Sequence, residues 1–232
     1  MKKVLKFLLP AMAVAFFLGA IPSQTQAQDI IRQILNRMDA NNKSLKSLKS
    51  KVQMANTDAG LGETDLKEGE LHYLPGRSEN QVYVRINWSK PREEQLAVAN
   101  GKYVLYRPAL KQAITGTVDN VKNKNSKAGG VLAFMGMTKA QMSENYDIKY
   151  LGDETVKSGQ NTFHLLLTPK KPTSYKSADL WVDSNGMPIQ AKIVEKNNDS
   201  TTILLSDIQR NATVNANVFK ISPPKGTAII QG

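Results

Sequence analysis

The side chains best suited to bond chemistry are few and poorly placed for it. The chain has two histidines, His72 and His164, in separate strand-like segments of opposite halves. A metal or general-base site would need carboxylates or a second imidazole close by, and no HExxH pattern or tight ligand cluster supplies them. Both read as strand histidines satisfied by their neighbours. Ser222 and Lys225 have SxxK spacing, but Pro223 and Pro224 oppose the helical turn that would join them. No GxSxG occurs, and Gly60-Leu61-Gly62 lacks the third glycine and the strand-to-helix setting of a nucleotide loop. Cysteine is absent, which excludes disulfides, thiol catalysis, thiolate metal sites and lipid attached to cysteine. The expectation is a protein that is not an enzyme, with no catalytic residue, metal or cofactor.

Charge and the first residues suggest a compartment. Lys2, Lys3 and Lys6 precede a nearly unbroken apolar stretch from Val4 to Ala20, and small and polar residues lead to Ala27. This reads as a signal peptide over residues 1–27, cleaved after Ala27. An uncleaved anchor is the competing reading, opposed by Pro10, Gly19 and Pro22 and by the short apolar core. Of the net charge of +11, the three signal lysines account for 3, leaving +8. The lysines are scattered and no basic run is interleaved with aromatics, so no nucleic-acid partner is expected. A basic surface suits anionic headgroups or an acidic partner, and simple solubility explains it equally.

The elements that must position any site follow from periodicity. Asp29 can cap a helix carrying Ile30, Ile31, Ile34, Leu35 and Met38 at helical spacing. Leu45 and Leu48 then either continue it after a break or open a first strand. Val82, Val84, Ile86 and Trp88 alternate with Gln81, Tyr83, Arg85 and Asn87, as in a strand with one apolar face. Asn100-Gly101 marks a two-residue hairpin between EQLAVAN and KYVLY. Near the C-terminus FHLLL, ADLWVD, IQAKIVEK and STTILLSDI follow one another, separated by Ser184-Asn185-Gly186 and Asn197-Asn198-Asp199 between the later pairs. That is an antiparallel meander without the crossover length parallel pairing needs. Between the β regions, Lys122 to Lys127 is loop-like, Gly129-Gly130 offers backbone freedom, and Val131 to Met137 carries no charge. Thr138 and Gln141 match a capping box for a short helix to about Tyr146. One mature domain, residues 28–232, is expected. Its broad apolar strand face must be covered, by the first helix and the VLAFMGM segment. Met135, Met137 and Met142 suit either a surface that repacks around ligands or plain core packing.

GELHYLP followed by RINWSKPREEQLAVANGKYVLYRPALKQA resembles the LolA family of periplasmic outer-membrane lipoprotein carriers. The positions that carry the resemblance are Gly69, Arg85, Lys90, Pro91, Gly101, Tyr106, Pro108 and Gln112. LLLTPKK, LWVDSNGMPIQ, the Asn211 region and VFKISPPKGTAII, with Phe219, Pro223, Pro224, Lys225 and Gly226, extend it over the mature chain. The resemblance implies an α+β fold, an unclosed antiparallel β-barrel with a helical lid over an apolar concave face. It further implies a monomer that binds acyl chains of lipidated proteins in the periplasm. The client would come from an inner-membrane LolCDE-type ABC transporter and pass to an outer-membrane acceptor. A lipid- or lipoprotein-binding module of the same fold, serving envelope stress sensing or glycolipid transport, is the alternative. The acyl-chain cavity is expected to be lined by Val82, Val84, Ile86, Trp88, Leu132, Phe134, Met135, Met137, Leu165 and Leu167. One departure stands out. Family members carry Arg-Pro where this chain has Leu74-Pro75, and the arginine is thought to latch the lid. Arg77 and Arg85 are the candidates for that latch, although Arg85 also suits an outward strand position.

Overall fold

The computed structural model of the chain describes residues 23–76, 82–117 and 134–232. Residues 1–22 of the expected signal peptide, Arg77, the Lys122–Lys127 loop, Gly129-Gly130 and Leu132 lie outside the described residues. Helix α1 is described over Ser23–Ser44, so the expected cap at Asp29 lies inside it. No proline or glycine lies between Pro22 and Ser44, so nothing stops the helix at Asp29. Asp29 instead pairs along the helix with Arg32 at 2.7 Å. The apolar stripe falls as the spacing requires, with Ile34, Leu35 and Met38 buried.

After α1 the chain enters β1 (Leu48–Asp58), β2 (Glu63–Leu74), β3 (Tyr83–Lys90), β4 (Glu94–Ala99), β5 (Lys102–Arg107) and β6 (Gln112–Thr117). Past a 3-10 turn at Phe134–Gly136 comes helix α2 (Lys139–Asn145). Its capping box is complete: Gln141 N–H donates to Thr138 Oγ1 at 3.2 Å, and Thr138 N–H donates to Gln141 Oε1 at 2.8 Å. Then follow β7 (Tyr146–Thr155), β8 (Asn161–Pro169), β9 (Tyr175–Val182), β10 (Pro188–Glu195), β11 (Ser200–Arg210) and β12 (Ala228–Gln231).

All twelve strands form one sheet in the order β12-β6-β5-β4-β3-β2-β1-β11-β10-β9-β8-β7. It does not close, so β12 and β7 are edges, and with helices on one face it is an α+β open half-barrel. The pairing is antiparallel except at one end, where β12 runs parallel to β6 with Ala228 opposite Gln112. The expected unclosed antiparallel half-barrel is thus present, with one short parallel pair added at its edge. The crossover required for parallel pairing is long-range here, from β11 through residues 211–227. On the way Phe219 is buried, its ring 5.8 Å from that of Tyr83. Tyr83 alternates with the inward Val84, so this passage crosses the outer face.

The turns follow their residues. Asn100 and Gly101 both take positive φ, 51° and 72°, as a tight hairpin turn requires. Gly69 matters through proximity: a Cβ there would lie 2.3 Å from the Asn87 carbonyl oxygen on β3.

Candidate functional site

Alternation along the strands divides the sheet into a covered face and an outer face. On β3, Val84, Ile86 and Trp88 point to the covered side and are 6%, 0% and 5% exposed. Leu165 and Leu167 of β8 do the same and are fully buried. β1, β2, β9, β10 and β11 extend this face with Val52, Leu71, Leu180, Ala191 and Leu205. Opposite lies the cover: Ile34, Leu35 and Met38 from α1, Phe134 from the 3-10 turn, and Met142 from α2. Val82 and Met137 are partly buried against the same cluster. The structure therefore brings together eight expected residues: Val82, Val84, Ile86, Trp88, Phe134, Met137, Leu165 and Leu167. Met135 lies in the same 3-10 turn as Phe134.

The apolar face is buried against its cover, so an occupant must displace cover side chains or move the cover. A cleft of about 310 Å³ opens elsewhere, lined by Asp153, Glu154, Thr155, Asn161, Thr162, Phe163 and Ser184. Six of its seven lining residues carry polar side chains, with Phe163 the exception.

The cover is held by scattered contacts. Asn42 Nδ2 donates to the Gly136 carbonyl at 3.1 Å, and Lys139 Nζ donates to Asn36 Oδ1 at 2.8 Å; both bonds are exposed. Phe134 packs at a tilt on Tyr146, with centroids 5.9 Å apart. The Tyr146 hydroxyl is 2.6 Å from that of Tyr175. Burial first, then this bond, raises the Tyr175 phenol well above its ordinary pKa. Burial alone pushes Tyr73 up to about 12. Exposed hydrogen bonds of this kind contribute little, about 0.5–1.5 kcal/mol each. The β9–β10 turn comes close to the backbone of α1. There Gly186 abuts the backbone of Arg37 and Met38, and Asn41 Nδ2 lies 3.5 Å from Met187 Sδ. Just past the C-terminus of the helix, Asn211 Oδ1 accepts Lys46 N–H at 2.7 Å.

Among the described residues the side-chain hydrogen bonds of Arg85 run to neighbouring strand residues rather than to the cover. Arg85 alternates with Val84 and Ile86 and so lies on the outer face, donating to Asn87 Oδ1 at 2.6 Å and Gln95 Oε1 at 2.8 Å. His72 also faces outward, opposite Arg85 in register. Burial, then Lys49, lowers its pKa. His164 stacks on Trp181 at 4.3 Å, with its ring nitrogens each 2.9 Å from Glu154 and Asp179. Ser222 and Lys225 are in no helical turn. Among the described residues no group of three or more His, Asp and Glu could hold a metal ion.

Sequence reasoning missed Leu71, Tyr73 and Leu180, although alternation in GELHYLP and ADLWVD could have found them. The Tyr146–Tyr175 pair and the Gly186 contact left no local signal.

Comparison with known proteins agrees with this architecture. The family model described as "Outer membrane lipoprotein carrier protein LolA" matches residues 82–222. An outer-membrane lipoprotein carrier protein of Pseudomonas syringae pv. tomato is 25% identical over 226 residues, spanning 95% of this chain and 96% of its own. Another, from Pseudomonas fluorescens, is 29% identical over 140 residues, 60% of this chain and 62% of its own. Among solved structures, MucB superposes with a TM-score of 0.55 at 15% identity, over 85% of this chain and 63% of that one. A conserved protein of Thermus thermophilus gives 0.53 at 11% identity, over 88% and 99%. Those two likenesses concern the fold.

Proposed function

This chain belongs to the family of the outer membrane lipoprotein carrier protein LolA, and from that premise we propose that it shields acyl chains of a lipidated protein during transit between membranes. A signal peptide ending at Ala27 would send it to the periplasm, leaving Gln28–Ser44 of α1 on the mature protein. There it would accept its client from an inner-membrane LolCDE-type transporter and yield it to an outer-membrane acceptor.

The observation that carries this reading is the mismatch between the covered face and its cover. Among the described residues, a continuous apolar sheet face is closed by one helix, a 3-10 turn and a two-turn helix, with exposed polar tethers between them. Each methylene hidden from water is worth about 0.8 kcal/mol, so a saturated chain of about fifteen methylenes gains on the order of 12 kcal/mol on entering such a face. That gain can offset displacing the cover, and closing again over the empty face favours release. No bond chemistry is involved.

Phe134 carries the cover onto the sheet, 2% exposed and packed on Tyr146. Phe134→Glu is expected to keep a folded sheet by circular dichroism and to lose a lipidated client in pull-down. Phe134→Leu, which stays apolar, should retain it. Equal retention by both variants would refute the assignment of this face to acyl chains.

A further inference from the structure

We propose that the exposed edge of β2 at Glu63–Lys67, with the adjoining β1–β2 tip, is a docking surface for a partner protein presenting a strand that alternates basic and apolar residues. β2 pairs with β1 along its whole length, out to Asp58 opposite Glu63. Its pairing with β3 begins only at Glu68 opposite Lys90. Residues Glu63–Lys67 thus offer unpaired backbone groups on one side, among the described residues, within an otherwise continuous sheet. An open edge of this kind templates the addition of another strand.

The side chains specify what would be added. Successive residues point to opposite faces, so Glu63 and Asp65 share one side and Thr64 and Leu66 the other. Glu63 and Asp65 are exposed and have no ion pair among the described residues. Lys67, at the end of this edge, is paired with Glu94 at 2.6 Å. Leu66 is 59% exposed and Leu61, at the tip, 72%. The tip is well formed: Asp58 Oδ1 accepts Leu61 N–H at 2.8 Å and Asp199 Oδ1 accepts Ala59 N–H at 3.0 Å. Against a chain net charge of +11, this is a local acidic edge beside exposed leucines. Cross-strand pairing with opposite charges on one face and apolar contact on the other is the complement it calls for. The acids also disfavour anionic lipid as the occupant.

The inference does not depend on where acyl chains bind. Its test uses the purified full chain and a fluorescent, acetylated heptapeptide alternating lysine with valine, followed by anisotropy. Saturable binding is expected, with none for the glutamate–valine counterpart. Glu63→Lys with Asp65→Lys should weaken binding about tenfold or more, and Leu66→Asp should also weaken it. Circular dichroism would confirm that these exposed substitutions leave the fold intact. Unchanged affinity in the variants would overturn the proposal. So would co-sedimentation with phosphatidylethanolamine–phosphatidylglycerol vesicles lost in Leu61→Ala, or concentration-dependent dimerisation lost in the charge-reversed variant.

Discussion

Gly186→Ala should loosen the helical cover far more than an alanine at an equivalent glycine elsewhere. Gly186 has φ +83°, and a Cβ built on it would lie 2.2 Å from both the carbonyl carbon and oxygen of Arg37 and 2.5 Å from Met38 N. Gly159 has nearly the same φ, +84°, with nothing within 4 Å. The left-handed conformation costs an alanine about 1–2 kcal/mol at either site. At Gly186 the helix backbone must in addition retreat by about 1 Å to restore ordinary contact. The turn cannot retreat easily, because Asp183 Oδ1 accepts the N–H groups of Asn185 and Met187 and Arg210 holds its other oxygen at 2.6 Å. Such forced displacement costs about 1–3 kcal/mol more, giving about 2–5 kcal/mol for Gly186→Ala against about 1–2 kcal/mol for Gly159→Ala. Urea unfolding measures the totals, and amide exchange along α1 shows where the loss falls. Accelerated exchange in α1, with the central strands still protected, would mark detachment of the cover. Indistinguishable midpoints for the two variants, or unaltered exchange in α1, would refute the reasoning.

Asn211 has φ 56°, accepts Lys46 N–H and, through its backbone N–H, donates to Ser47 O at 2.8 Å. Asn211→Ala should cost about 2–3 kcal/mol in urea unfolding, with Asn211→Gly milder because it relieves the φ strain while still losing the side-chain bond. His72 provides a pH prediction. Its folded pKa is depressed below the unfolded value of 6.5 by burial, then Lys49 and Arg85, with Glu70 opposing. The unfolded state therefore binds the extra proton first, and stability falls as pH drops below about 6.5. His72→Gln should have a smaller difference in urea midpoint between pH 7.5 and pH 5.5 than the parent; an equal difference would count against this account.

The sequence alone determined whatever depends on neighbours a few positions apart. Alternation placed Val84, Ile86 and Trp88 on one side and Arg85 on the other, and helical spacing found Ile34, Leu35 and Met38. Local hydrogen bonding made the Thr138–Gln141 box and the Asn100-Gly101 turn readable, since each closes within four residues. It overreached at Asp29, where a good cap residue lies inside a helix that no breaker interrupts. Arg85 became a latch candidate through the family resemblance, whereas parity set it opposite the apolar face and says which residues share a face, not which face is covered. Only the tertiary structure decided that β12 returns beside β6, that Gly186 meets the backbone of α1, and that Tyr146 finds Tyr175. Those contacts join segments up to 149 positions apart, as between Gly186 and Arg37. Their energy comes from packing between surfaces with no sequential relation, and a short window of sequence carries no trace of it.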